Sequence, residues 1–302
     1  VLIIFERERL LNGLLSTTLH LTLGIDSLTC TMKFISQTRN CPLCNADKKS
    51  PYLSEGELRL VKCNMCGFVF LDNLPDESEI YEDYFEQTIY SKDYTKFSKE
   101  KFLAEIYAIN EQRLYYIRKL KIKGSILDIG CGTGLFLKTA SNYGFDVTGI
   151  DVSNVAIKNA REQFGINADR KLISDLNPSD MQFDVITLWH VLEHLVNPLD
   201  DLKKIRTMLK PDGVLFIEVP NLNSAKFRLS GRKWQGGNHP LYHRSFFTGR
   251  NLREMLLRSG FKTVKRLNIS YNVPGRNFLY TKSKELFNIF AMDSFLNYIA
   301  KN

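Results

Sequence analysis

A short apolar strand that breaks into three closely spaced glycines constrains this chain more than any other feature. Residues 125–129 are apolar except for Ser125 and Asp128, and they lead into Gly130, Gly132 and Gly134, after which 135–143 follows a helical pattern. Glycines at such a junction let the backbone turn tightly and approach a ligand. The same order recurs downstream. Apolar runs fall at 147–150, 183–188 and 214–219, with a weaker one at 172–173, and helical stretches at 155–163 and 199–209 lie between them. Residues 210–213, Lys-Pro-Asp-Gly, read as the turn that stops the last helix. The alternation predicts an α/β fold: parallel strands with crossover helices on both faces, a doubly wound sheet that binds ligands at its strands' carboxyl ends.

The spacing of the loop discriminates between ligands. A dinucleotide fingerprint, G-x-G-x-x-G/A, counted from Gly130 would need a small residue at Leu135, and it fails there. The pattern is D-x-G-x-G-x-G, with Asp128 at the strand end. That carboxylate sits badly beside a pyrophosphate but suits a cofactor carrying an ammonium group and a sulfonium. Asp151 ends the next apolar run, where an acidic side chain can accept from both hydroxyls of a ribose. Asp175 follows the weaker run and can accept from an adenine amino group. Singly, each reads equally well as a turn or cap residue; three at successive strand ends favour a cofactor.

Four of the six cysteines form two C-x-x-C pairs, Cys41 with Cys44 and Cys63 with Cys66, separated by 18 residues. This is the spacing of a four-thiolate zinc site, and a site with four protein ligands is closed and structural. Gly67 lets the backbone turn past the metal. Two disulfides are the alternative, but they need an oxidising compartment for which the sequence carries no signal. Cys30 and Cys131 read as small apolar or incidental residues.

Residues 122–220 resemble the class I S-adenosylmethionine-dependent methyltransferases, in Leu127–Gly134 and in 149–153, Gly-Ile-Asp-Val-Ser. His190, Glu193 and His194, then 209–213 and 219–221, resemble the subgroup containing the ubiquinone-biosynthesis O-methyltransferases. An N-terminal four-cysteine ribbon occurs in relatives such as deoxysugar C-methyltransferases. The resemblance implies a mostly parallel seven-stranded Rossmann-like sheet, S-adenosylmethionine as cofactor, and a small zinc ribbon. It assigns the cofactor to Asp128, Gly130, Gly132, Gly134, Asp151, Val152, Asp175, Leu176 and His190. The implied organisation is an extension over 1–33, a ribbon over 34–75, a helical cap over 76–121, and the methyltransferase domain over 122–302 with a substrate insertion at 221–250. Ubiquinone-type relatives carry Glu where His190 stands, in an acidic cluster linked to a divalent cation; the histidine departs from that pattern.

Methyl transfer is an in-line displacement at a sulfonium, so the protein mainly positions the nucleophile and accepts its proton. His190, Glu193 and His194 are the nearest candidate bases, followed by His239, Tyr242 and His243 in the insertion. The catalytic set is taken as His190, Glu193, His194 and His243. His190 to His194 also matches H-x-x-E-H, the inverted zinc-peptidase motif, but that site needs a long helix and a third ligand from another; this segment follows a buried strand.

Charge is uneven. Residues 221–302 hold 15 Lys/Arg against 3 Asp/Glu, so the first 220 are net acidic although the chain is +8 overall. The basic third favours an anionic small-molecule or lipid- or nucleotide-linked acceptor, with peripheral membrane contact open, through Phe287, Ile289 and Phe290 among others. An RNA methyltransferase is the alternative. The ribbon region 34–99 has more acidic than basic residues, which disfavours nucleic acid. Residues 1–31 lack the pattern of a secretory signal or a spanning helix, and Met32 reads as the natural start. A cytoplasmic protein is expected. The chain's end reads either as a strand at 294–300 after a short helix at 282–290, or as one amphipathic helix from 282; the strand is preferred.

Overall fold

The computed structural model describes residues 34–36, 38–75, 99–179, 181–225, 227, 242–269, 271 and 294–302. The expectations for 1–33, 76–98, His239 and 282–290 fall outside these residues.

Five short strands come first: β1 (Phe34–Ser36), β2 (Lys49–Glu55), β3 (Leu58–Cys63), β4 (Val69–Leu71) and β5 (Leu74–Pro75). Strands β2, β3 and β4 form an antiparallel meander, and β1 pairs with β5. The rest reads α1 (Lys99–Lys119), β6 (Ser125–Ile129), α2 (Leu135–Asn142), β7 (Asp146–Asp151), α3 (Asn154–Phe164), β8 (Asn167–Arg170), β9 (Phe183–Trp189), α4 (Pro198–Thr207), β10 (Leu209–Pro220), β11 (Ser245–Phe246), α5 (Gly249–Arg258), β12 (Thr263–Leu267) and β13 (Phe295–Lys301).

The large sheet has seven strands in the order β8-β7-β6-β9-β10-β13-β12. Strands β6 to β10 run parallel, and β13 is antiparallel to both β10 and β12. Leu127, Val185, Ile186, Leu188, Val214 and Leu215 are fully buried, because helices cover both faces. Such strands read as unbroken apolar runs, which is why the sequence shows them plainly. Strand order reverses between β6 and β9, so the glycine loop after β6 opens at the switch point of the sheet.

Two expectations are corrected and one choice between alternatives is decided. The weak strand at 172–173 is not one. The third strand is β8, an edge strand in which only Ala168 is fully buried, so it has no apolar run to read. Ile173–Asp175 instead form a single 3-10 turn. Residues 210–213 do not sit outside the sheet, for β10 already begins at Leu209 opposite Phe183 and carries a register break before Val214. The end of the chain is the strand β13, the preferred of the two readings. Its residues Phe295 to Ala300 are all buried between β10 and β12, and that continuous burial suits a central strand better than an amphipathic helix.

The N-terminal module is not a separate body. Strand β11 joins its meander, with Ser245 opposite Phe70 and Phe246 opposite Val69, giving a sheet of order β11-β4-β3-β2. Phe68 packs against Phe247 with ring centroids 5.3 Å apart, and Cys41, Leu43, Phe68 and Phe70 share one core with β6, β9 and β10. Among the described residues no helix is long and apolar enough to cross a membrane.

Candidate active site

The glycine loop holds three left-handed residues, with φ of +71° at Gly130, +53° at Gly132 and +78° at Gly134. Only glycine takes such values without strain. A Cβ on Gly130 would lie 2.4 Å from Val191 Cγ2, so its absence lets the loop close against the end of β9. A Cβ on Gly132 would meet nothing within 4 Å: that glycine faces open space.

Asp151, at the end of β7, accepts from the N–H of Gly132 and of Ser153, each at 2.9 Å. A carboxylate offers about four lone-pair positions, so two remain for ligand hydroxyls. Burial raises its pKa, against the pull of the Ser153 and Gly132 N–H groups. Asp128 is buried within β6 and accepts from Thr187 Oγ1 at 2.6 Å. Burial pushes its pKa up to about 7, although Thr187 and Arg113 favour the charged form. Val152 is half-buried and Leu176 buried, on the same side of the sheet's strand ends. Asp175 is exposed; its Oδ2 accepts from the Leu172 N–H at 2.8 Å, capping the 3-10 turn.

Beyond β9 the chain turns sharply. His190 has φ +60°, unusual for a side chain with a Cβ, and its N–H donates to the Glu218 carbonyl at 2.9 Å. Its Nδ1 lies 3.3 Å from Glu193 Oε1 and its Nε2 3.0 Å from Glu218 Oε1. Burial acts to lower the His190 pKa, but the two carboxylates outweigh it and raise it. A carboxylate beside each nitrogen favours the protonated ring over the neutral one. Glu218 is wholly buried and also binds the Arg113 guanidinium and the Tyr271 hydroxyl. Burial alone would raise its pKa, but Arg113 and His190 hold it well below the usual carboxylate range. Arg113 stacks on the Trp189 ring at 4.6 Å, and its Nε has no hydrogen-bond partner among the described residues.

Arg113, Glu218 and Tyr271 escaped the sequence reading. Glu218 carried a usable signal, a lone carboxylate inside the apolar run of β10. Arg113 and Tyr271 carried none, since only folding brings α1 and the segment after β12 to that strand.

A second group lies beside the first. His194, in the 3-10 turn Leu192–His194, faces the Tyr242 carbonyl with Nδ1 at 2.8 Å. A carbonyl can only accept, so Nδ1 carries the proton and Nε2 keeps the lone pair when the ring is neutral. The His243 ring meets that of His194 edge-on, 4.7 Å between centroids. Glu193, His194 and His243 each offer a donor atom within 4.8 Å of the others, and Glu193 Oε2 is buried without a hydrogen bond among the described residues. His243 also lines a small concavity with Pro220, Asn221, Leu222, Phe227 and Phe246.

The four cysteines of the N-terminal module converge, with all Sγ atoms within 4.8 Å of one another. The Sγ atoms of Cys41 and Cys66 are 3.6 Å apart and those of Cys44 and Cys63 3.5 Å, too long for disulfides and close to the ~3.8 Å edge of a zinc–thiolate tetrahedron. Asn45 and Gly67, each just after the second cysteine of a pair, are left-handed at φ +60° and +72°. The donor set fits zinc.

A seven-stranded sheet with an antiparallel seventh strand, a glycine loop at its switch point and acidic residues at adjoining strand ends defines a class I S-adenosylmethionine-dependent methyltransferase domain. The family profile described as a methyltransferase domain matches residues 100–266, more than half of the chain, and the protein belongs to that family. Curated relatives include a ubiquinone biosynthesis O-methyltransferase of Coxiella burnetii (strain RSA 493 / Nine Mile phase I), 35% identical over 125 residues, covering 39% of this chain and 53% of the relative. One of that description from Actinobacillus pleuropneumoniae serotype 5b is 35% identical over 130 residues, covering 38% and 55%. The chain thus spans about half the length of the curated relatives it matches. Among solved structures, an Archaeoglobus fulgidus methyltransferase superposes with TM-score 0.50 at 19% identity, covering 74% of this chain and all of its own. A plantazolicin methyltransferase in complex with S-adenosylhomocysteine gives 0.51 at 23% identity, covering 73% and 93%. These two likenesses concern the fold.

Proposed function

We propose that the protein transfers a methyl group from S-adenosylmethionine to a hydroxyl-bearing small molecule or lipid- or nucleotide-linked acceptor, quinol-like or a sugar or glycan precursor. The observation that carries this reading is the open face of Gly132 bonded to Asp151, beside a buried Asp128 and a guanidinium with an unused Nε. In it, Asp151 accepts from the ribose, Asp128 takes the ammonium and Arg113 the carboxylate of the methionine part. The cofactor supplies an activated methyl group on sulfur. Protein groups orient the acceptor, exclude water and take its proton at His194 Nε2 or at His243. The names of the curated relatives support an O-acceptor, and the Phe227 and Phe246 rings beside His243 suit an aromatic ring. Zinc in the cysteine cluster would be structural. The surplus of Lys and Arg after residue 220 suits an anionic acceptor or contact with anionic lipid.

Calorimetry with S-adenosylhomocysteine tests the donor half: wild type binds, and Asp151→Ala loses affinity by about ten- to a hundredfold. No heat with wild type would sink the reading. Labelled methyl transfer to a catechol-type quinol against a sugar nucleotide separates the acceptors. Flotation with neutral and anionic vesicles tests the lipid contact.

A second reading adds a divalent cation held by Glu193, His194 and His243, favoured by the partnerless Glu193 Oε2. Such an ion would lower the pKa of the acceptor hydroxyl. Titration with Zn²⁺, Mn²⁺ and Mg²⁺, compared with Glu193→Gln, tests it.

A further inference from the structure

The two chain segments that carry the second group of side chains have no covalent reason to meet: Glu193 and His194 follow β9, and His243 lies some fifty residues later. Three contacts bring them together, and the N-terminal module takes part in the construction. The Arg244 N–H donates to the Glu193 carbonyl at 2.8 Å, His194 Nδ1 donates to the Tyr242 carbonyl, and the Leu71 N–H donates to the Arg244 carbonyl at 2.9 Å. Strand β11, which starts two residues after His243, is the edge of the module's own sheet.

Arg39 bridges all of these pieces. Its Nε donates to the Leu71 carbonyl at 2.9 Å, its Nη1 to the Val196 carbonyl at 2.7 Å and its Nη2 to the Arg244 carbonyl at 3.4 Å. The guanidinium lies over the Phe70 ring, 5.4 Å from its centroid, and the Arg39 N–H donates to Asp72 Oδ1, which Lys49 also holds. A planar five-donor fork can satisfy three carbonyls from three segments at once; an ammonium cannot hold that geometry. The cysteine turns rest on α5 in the same way: Asn251 Nδ2 donates to the Cys66 carbonyl at 3.1 Å and Arg258 Nη1 to the Leu43 carbonyl at 3.3 Å. Arg39's side-chain hydrogen bonds go to Leu71, Val196 and Arg244, none of which lies in β6 to β8.

We infer that Arg39 is a positioning residue, through which the N-terminal module holds Glu193 and His194 in register with His243 while leaving the cofactor half alone. This rests on the proposed reading of those side chains as the acceptor's proton-handling group. It makes the module part of the acceptor site's architecture rather than an appended tag.

The test needs no acceptor. In ¹⁵N-histidine protein saturated with S-adenosylhomocysteine, imidazole correlation spectra are assigned by single His→Gln variants and compared between wild type and Arg39→Ala. The expected result is displaced or broadened His194 and His243 signals, faster exchange of the His194 Nδ1 proton, and S-adenosylhomocysteine affinity within about twofold of wild type. Superimposable His194 and His243 signals would overturn the proposal. So would a loss of S-adenosylhomocysteine affinity of about tenfold or more, because Arg39 would then act on the whole domain. Should Arg39→Ala fail to fold, Arg39→Lys keeps the charge but not the fork, and the same two signals should move by a smaller amount. If wild type binds no S-adenosylhomocysteine at all, the donor reading fails, yet the unliganded histidine spectra still decide the role of Arg39.

Discussion

The two halves of the sheet are built by different means. On the β6–β7–β8 side the ligand-facing groups come from consecutive strand ends, and backbone geometry does most of the work: left-handed glycines, N–H groups, and one carboxylate accepting from both Gly132 and Ser153. On the β9–β10 side the groups come from α1, the β9 turn, the middle of β10, the segment after β12 and the approach to β11. The first half is local and needs few partners. The second is a junction of distant segments, with Glu218 at its charged centre and the N-terminal module as its buttress.

The comparison can be broken at several points. The largest effect belongs to the buttress. Cys63→Ser, or zinc removal by a chelator, should unfold the module, since metal binding in comparable small sites contributes on the order of 10 kcal/mol. Mass spectrometry for zinc and near-ultraviolet circular dichroism would read the loss. If the module stayed folded and metal-free, it would not be a zinc-dependent structure. Next comes Glu218→Ala, which strands Arg113 and His190 in the interior. Removing one partner of a buried ion pair costs about 3–5 kcal/mol, so urea unfolding should shift strongly, whereas a small shift would mean that water or another group takes over.

Smaller effects are expected in the cofactor half. Gly132→Ala puts a methyl group into open space at φ +53°, a backbone strain of roughly 1–2 kcal/mol, and should weaken S-adenosylhomocysteine binding more than it lowers the melting temperature. Equal losses would place the glycine in folding rather than binding. The gentlest prediction concerns pH. Asp128 has a raised pKa of about 7 without ligand, and a bound ammonium would lower it. Below pH 7 the carboxyl must therefore release a proton on binding. Affinity should climb by up to about tenfold per pH unit on approach to 7 and level off above it. Calorimetry in two buffers of different ionisation enthalpy would count that proton; none released at pH 6 would remove Asp128 from the cofactor site.

Much of the fold could be read because buried parallel strands write themselves as apolar runs and glycine loops as spacing. Strands β6, β7 and β9 were visible for that reason, and β13 by the same density of apolar residues. Strand β8 was not, since an edge strand with only Ala168 fully buried leaves no pattern. The start of β10 was hidden because Lys210 to Gly213 read as a turn although the chain there stays beside β9. His190 was legible as a candidate but its surroundings were not: two carboxylates, one from Glu193 nearby and one from Glu218 on β10, favour its protonated form.

The glycine spacing, the strand-end carboxylates and the paired cysteines were determined by sequence alone, because each depends on residues close together in the chain whose backbone demands are local. Tertiary structure alone decided that β11 would complete the module's sheet, that Arg39 would reach three carbonyls, and that Arg113, Glu218 and Tyr271 would meet. Those contacts join segments up to two hundred residues apart, and only the packing of the whole sheet brings them within hydrogen-bonding distance.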